Sequence, residues 1–464
     1  MADSKQPRTE VQGSPEIATE TFHDGSEQSK RAFLASFSAL EDKQIMRKVD
    51  RRFLLLIGMI YLSKNIDYTN AATVKVLQYN WVQSIYFISY IIFEVPCNLL
   101  LKKVSPRNWQ TRIILSWGAV LACHAAVKNK EGYYTARWFL GMMEADMFPG
   151  LAAQLCSCLL AYGISYMNGL SGMSAWRWVY LLEGLAAMLF GAVVFLALPD
   201  YPKSPRSRRW LTPREQEYLE TRLSDNAPKT ADPAFRKEEV VACLKDARTY
   251  TFMLAQFMTN FAEYGLSWML PTVTTDLGFA GLPRNQLLNI PPAAGSVPGV
   301  VFAGWFLKRA YIPLPAFLIL SGASMLVFFI LLAVLKSNIG IYVAVTFGST
   351  FYATWFIPFW AWRSATLKGA TGAAFGLAFQ NCIEQVEGVV APQLFQSKFA
   401  NNGYKTPIAV CAGATAGAFL ASWWAWWLTR HVERDVMRIR RLRAKAERKG
   451  EVYADDDIDV SGNR

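Results

Sequence analysis

The residues of this chain best placed to do chemistry are charges set inside apolar runs. Between Tyr134 and Tyr166 the chain is largely apolar, and the string ARWFLGMMEADMFPG places Arg137, Glu144 and Asp146 within that stretch. Asp67 has a similar setting in KNIDYTN and Glu94 in FEVPCNLL, and Glu384 and Glu387 stand one helical turn apart in FQNCIEQVEGVV. An ionisable group in lipid costs at least about 2.5 kcal/mol on insertion scales, so it persists mainly where it faces a polar cavity or does a job. Arg137 and Glu144 are two helical turns apart, which sets both on one helix face. A carboxylate in a low-dielectric cavity can gain or lose a proton as a cationic neighbour moves, and protonation then acts as a conformational switch. Chemistry of that kind suits a protein that moves something across a membrane.

The elements that must hold these groups are membrane-crossing helices. Of 464 residues 52% are hydrophobic and only 18% charged, with a mean hydropathy of +0.15, and soluble domains carry about 25% charge. Apolar stretches near or above the roughly 18 residues needed to cross a bilayer fall at Phe53 to Ala72, Tyr79 to Leu101, Thr111 to Val127, Trp178 to Leu198 and Tyr250 to Val273. Others follow at Ile290 to Leu307, Leu314 to Leu335, Ile339 to Trp362, Phe375 to Phe395 and Pro407 to Leu428. The expected class is therefore an all-α membrane protein.

The net charge of +12 is explained by topology, not by nucleic acid. Arg47, Lys48, Arg51 and Arg52 precede the first span, Lys203, Arg206, Arg208, Arg209 and Arg214 follow Leu198, and Arg430, Arg434, Arg438, Arg440, Arg441 and Arg443 follow the last span. The positive-inside rule puts all three segments in the cytoplasm. Each half must then cross an even number of times. This gives a polar tail (1–50), a helical half (51–199), a cytoplasmic loop (200–248), a second helical half (249–428) and a cytoplasmic tail (429–464). In the loop, RWLTPREQEYLETRL sets Glu215 three residues after Thr212, the spacing of a capping box. Two six-helix halves with substrate held between them near the midplane describe many secondary transporters.

Other function classes find no support. The seven cysteines are scattered without paired spacing, so neither a disulfide framework nor a metal site is expected. Three histidines, His23, His124 and His431, with no phosphate loop, metal-ligand spacing or nucleophile elbow, argue against an enzyme and against any cofactor. Without a phosphate loop the energy source is expected to be an ion gradient. The first fifty residues lack the pattern of a secretory signal or transit peptide. SWWAWWLTR, ending the last span, reads as an interfacial aromatic belt. Trp355, Phe356, Pro358, Trp360 and Trp362 read by default as packing residues.

Some residues carry structural readings beside functional ones. Arg137 with Glu144 or Asp146 can be a buried ion pair that fixes helix packing. Glu94 with Lys102, Lys103 and Arg107 reads as a charge network at a cytoplasmic gate. Glu183 looks structural, whereas Glu384 and Glu387 are candidates to line the cavity.

Taken in order, YNWVQSIYFISYIIFEVPCNLLLKKVSPRNW, ARWFLGMMEADMFPG, LLAYGISYMNGLSGMSAWRWVYLLEG and RRWLTPREQEYL resemble the fungal anion:cation symporter family of the major facilitator superfamily, which includes allantoate, nicotinate, pantothenate and biotin permeases. The resemblance runs from about Phe53 to Leu428. It implies two six-helix halves, plasma-membrane residence, a monomer and proton-coupled symport of a small vitamin- or ureide-type carboxylate. It also implies that Asp67 and Glu144, matching carboxylates of helices one and four, carry the coupling proton, and that Arg137 pairs with them or with the anion. The aspartate of helix one is usually followed by an arginine, and here Tyr68 follows Asp67. Anion recognition is therefore expected to shift towards Arg137 and the polar groups Asn70, Gln380 and Asn381, with Glu384 beside them.

One departure concerns length. After Phe148, Pro149 and Gly150, relatives complete a fourth helix, a charged turn and half of a fifth, whereas here LAAQLCSC leads straight into LLAYGISYM. A truncated fifth helix is expected, of a kind that a misread frame, a splice form or a degenerate copy could each produce. The alternative to a symporter is thus a membrane protein without transport activity, either a nutrient receptor or a degraded carrier.

Overall fold

The computed structural model describes residues 29–30, 32–52, 79–101, 104–144, 164, 167, 169–199, 201–222, 235–276, 290–309, 311–395, 399 and 404–449. The expected first span, with Asp67, Tyr68 and Asn70, lies outside these residues, as do Lys102, Lys103, Asp146 and the shortened stretch after Gly150.

Helices dominate the described chain. The first group comprises α1 (Tyr79–Leu101), α2 (Pro106–His124), α3 (Lys130–Glu144) and α4 (Ala175–Ala197). Ser105 caps α2 by accepting from the Asn108 amide, with Pro106 at the first helical position where a missing N–H costs nothing. A core of Tyr90, Ile113, Trp117, Leu121, Leu140 and Tyr180 unites the four. Helices α2 and α4 approach closely at Gly118, where an added Cβ would lie 2.8 Å from the Gly184 carbonyl. Small residues at such a crossing let backbones meet where lipid supplies no hydrophobic drive.

Two short helices follow, α5 (Pro213–Arg222) and α6 (Lys237–Lys245). The expected capping box forms in both directions: the Thr212 amide donates to Glu215 at 2.9 Å and the Glu215 amide to the Thr212 hydroxyl at 3.3 Å. Helix α5 holds the N-terminal segment 32–52 through a small core of Leu34, Phe37, Ile45 and Tyr218. Lys48 pairs with Glu215 at 2.6 Å, and Arg222 pairs with Asp42.

The second group comprises α7 (Ala247–Asp276), α8 (Ile290–Lys308), α9 (Leu314–Val334), α10 (Asn338–Ser364), α11 (Ala370–Leu394) and α12 (Lys405–Lys449). Phe252, Phe359, Trp355 and Trp362 pack one end of it. Leu266, Met325, Phe329 and Val345 pack the other. Trp355 stacks on Phe359 with ring centroids 4.2 Å apart, so the aromatics of α10 named above include genuine packing residues.

Five described helices are long and apolar enough to cross a membrane by composition: α4, α8, α9, α10 and α12. Helices α1, α7 and α11 have 23, 30 and 25 residues, ample for a crossing. The apolar character of α7 and α11 is diluted by residues turned inward, Gln256, Asn260, Gln380 and Glu384, all buried. Helix α12 departs most from expectation. It runs 45 residues without a break, past the tryptophan belt and through the basic tail. The tail's Arg, Lys, Glu and Ala are good helix formers, and no proline or glycine interrupts them before Gly450.

Candidate functional site

The seam between the two groups is built by α1 and α11. Ser84 donates its hydroxyl proton to the Val389 carbonyl at 3.2 Å, and Gly388 lies against the Phe87 ring. Further along, the Asn381 amide nitrogen donates to the Tyr90 hydroxyl at 3.3 Å and to the Glu94 carboxylate at 2.9 Å. Two residues that the sequence assigned to separate roles, a gate acid and a substrate amide, thus meet across the seam. Arg107, expected beside Glu94, lies with its guanidinium 4.2 Å from the centre of the Phe195 ring.

On one side of the seam is a cluster of phenols around a cation. Arg137 is 3% exposed and donates to the Tyr180 hydroxyl at 2.6 Å and the Tyr133 hydroxyl at 3.2 Å. Those hydroxyls stand 2.9 Å from each other, and the His124 ring stacks on Tyr180 with centroids 5.1 Å apart. Three elements position the group: the end of α2 supplies the imidazole, α3 the arginine and Tyr133, and α4 supplies Tyr180. Two turns further along α3, Glu144 is 4% exposed and accepts from the Tyr86 hydroxyl of α1 at 2.7 Å. Arg137 and Glu144 therefore share a helix face but reach different tyrosines.

On the other side is a cluster of amides around a carboxylate. Glu384, 5% exposed, accepts from the Gln256 and Asn260 side-chain amides of α7. Gln380, one turn earlier on α11, donates to the Gln256 carbonyl oxygen, and the Tyr352 hydroxyl of α10 donates to the Asn260 carbonyl oxygen at 3.1 Å. Glu263 accepts from Ser267 at 2.6 Å, and Glu387 lies close enough to both Glu263 and Glu384 to feel their charge.

Reading the sequence brought out Arg137, Glu144, Gln380, Asn381 and Glu384. It overlooked Gln256, Asn260 and Glu263, although polar residues at i, i+4 and i+7 in an apolar run mark one helix face. It also overlooked Tyr86, Tyr133 and Tyr180, which carry no such signal because a tyrosine in an apolar run reads equally well as core. Among the described residues no group of three or more His, Cys, Asp and Glu side chains could hold a metal ion.

Comparison with known proteins agrees with this architecture. The family model for the Major Facilitator Superfamily matches residues 152–392, more than half of the chain. An MFS-type transporter, cnsO of Penicillium expansum, is 28% identical over 297 residues, covering 55% of this chain and 57% of its own length. The chain thus spans little more than half of that relative. An Agrobacterium vitis protein whose name assigns it to tartrate transport is 26% identical over 397 residues, covering 76% of this chain and 84% of its own length. Among solved structures, FucP in its outward conformation superposes with a TM-score of 0.53 at 15% identity, covering 80% of this chain and 98% of FucP.

Proposed function

We propose that this chain, which belongs to the Major Facilitator Superfamily, is a multi-pass membrane transporter that works as a proton-coupled symporter of a small organic anion. Glu144, with Asp67, carries the coupling proton. Arg137 holds the substrate carboxylate or poises Glu144. Asn70, Tyr68, Gln380 and Asn381 supply polar contacts to the anion, and Glu94 with Lys102, Lys103 and Arg107 acts near the cytoplasmic mouth. The similarity to a protein named for tartrate transport supports a carboxylate as cargo.

The observation that carries the reading is the contact between Tyr86 and Glu144 at 2.7 Å. A phenol both donates and accepts, so it can donate to the ionised acid and accept from the protonated one. The contact therefore survives either protonation state, as a residue that loads and unloads protons requires. The amides that hold Glu384 donate through NH2 groups that cannot accept, which suits that acid to a fixed, ionised role. Ionised Glu144 would attract the Arg137 guanidinium, and protonated Glu144 would release it to the incoming anion.

The basic clusters at Arg51, Arg208 and Arg441 support cytoplasmic placement of both tails and of the loop 200–248, which would divide the chain into halves at 51–199 and 249–428. The plasma membrane is the proposed site of action. The experiment is uptake of labelled small carboxylates, tartrate among them, in host cells lacking their own permeases. It is run with and without a proton gradient. The chain as it stands is compared with a version lengthened after Gly150 by the segment that relatives carry. Accumulation that collapses with a protonophore supports the proposal, whereas gradient-independent uptake in both versions removes proton coupling from it.

A further inference from the structure

We propose that the exit of α12 from the membrane is a binding site for an anionic phospholipid of the cytoplasmic leaflet, with the headgroup held by arginines and the glycerol region by tryptophans. This inference rests on the cytoplasmic placement of the tail, but not on any assignment of substrate or proton.

The site is a groove of about 700 Å³ lined by α12 residues from Trp423 to Leu442, with Pro313 before α9 as its far wall. Trp423, Trp427, Arg430, Arg434, Arg438 and Arg441 are all exposed and follow one another at steps of three or four residues, so they form a single stripe on one helix face. Trp423 and Trp427 are 48% and 63% exposed, a wasteful arrangement in water and the expected one at the level of lipid glycerol. Arg430 begins about 4.5 Å beyond Trp427 at a rise of 1.5 Å per residue, and Arg434 about 6 Å further. The headgroup layer is roughly 5 to 8 Å deep on each side of a bilayer, so the first arginines fall at phosphate depth. The later ones rise above it.

A ladder of cations at rising height matches a headgroup that carries charge at more than one height, as a phosphorylated inositol does. Guanidinium forks suit phosphate oxygens better than ammonium groups because they donate in a plane. The one acid among the residues lining the groove, Glu433, is 3% exposed and lies in the field of Arg440. The face offered to a ligand is thus cationic at one end and aromatic at the other.

The test is binding of short-chain lipids to the purified full-length protein in detergent, read by the shift of its thermal unfolding and by titration. Short-chain phosphatidylinositol bisphosphate is expected to bind more tightly than phosphatidylserine, and phosphatidylserine more tightly than phosphatidylcholine. Replacing Arg430, Arg434 and Arg441 together by Gln should weaken the inositide by on the order of 100-fold, since a basic residue near the surface contributes about five-fold, and should leave phosphatidylcholine unchanged. The corresponding Lys variants should retain most of the preference. In the unaltered protein, added salt should weaken inositide binding and spare phosphatidylcholine, a readout that needs no variant to fold. Equal binding of all three lipids, or an unchanged preference in the Gln variant, would overturn the proposal. So would soluble inositol phosphates binding as tightly as the lipid, because the tryptophans would then play no part. None of these readouts depends on transport, so a failed uptake experiment leaves the inference standing, and the reverse also holds.

Discussion

The two polar clusters flanking the seam solve one problem, a charge buried in a membrane protein, with opposite chemistry. The cluster of α1 to α4 surrounds Arg137 and Glu144 with hydroxyls from Tyr86, Tyr133 and Tyr180. The cluster of α7, α10 and α11 surrounds Glu384 with amides from Gln256 and Asn260. Hydroxyls rotate and reverse their roles, whereas an amide presents fixed donors and a fixed acceptor. The proposed symport would use the first cluster to change state and the second to keep one. On the proposed symport reading both are needed, because a moving proton must be read against a scaffold that does not reorganise with it.

The largest expected effect breaks this comparison directly. Glu144→Gln should abolish accumulation against a gradient while sparing exchange of substrate across the membrane, because exchange does not require the proton to leave. Counterflow and uphill uptake, measured side by side, separate the two. Wild-type accumulation in both Asp67→Asn and Glu144→Gln would move the switch to Glu384 and Glu387 and reverse the roles of the clusters.

Arg137 comes next. Arg137→Ala should raise the apparent substrate constant about tenfold or more, the equivalent of about 1.4 kcal/mol, while Arg137→Lys should recover part of that loss because it keeps the charge but not the fork. Kinetics of labelled uptake over a range of concentrations reads the difference. A maximum rate that falls with an unchanged constant would mark Arg137 as a packing residue.

For the amide cluster the expected effect is on stability rather than coupling. Gln256→Leu leaves a buried acceptor without one of its donors, which costs about 1 to 3 kcal/mol. Thermal unfolding should drop, and proton-driven accumulation per folded molecule should persist. Loss of coupling at unchanged stability would show that Glu384 also switches.

The smallest effect lies outside the membrane, where the segment 32–52 rests on α5. Burial pushes the Glu215 carboxyl upwards, but hydrogen bonds from Lys48 and Thr212 outweigh it and hold it below its ordinary value of 4.5. A carboxyl lowered on folding stabilises above that value and loses its contribution as pH falls through the folded value. Proteolysis of the N-terminal segment by an acid-active protease should therefore accelerate below about pH 4.5, and Glu215→Gln should flatten that dependence.

Much of this was legible without coordinates. The spans, the basic flanks and the Thr212 to Glu215 capping box follow from local rules, in which each residue answers to solvent or to neighbours a turn away. The charges inside apolar runs announced themselves by their cost, and so Arg137, Glu144 and Glu384 could be named from their types alone. Their partners could not. Tyr86 meets Glu144, Gln256 meets Glu384, and Asn381 meets Glu94 across separations of 58, 128 and 287 residues, and no local pattern encodes which helix lies beside which. The reach of α12 into the tail also needed the structure, because helix propensity there is permissive and the end of the membrane does not end a helix. The sequence by itself determined that charges would be buried in a helical membrane protein. Only the tertiary structure decided which hydroxyl or amide faces each of them, since side-chain hydrogen bonds between distant helices depend on helix packing rather than on order along the chain.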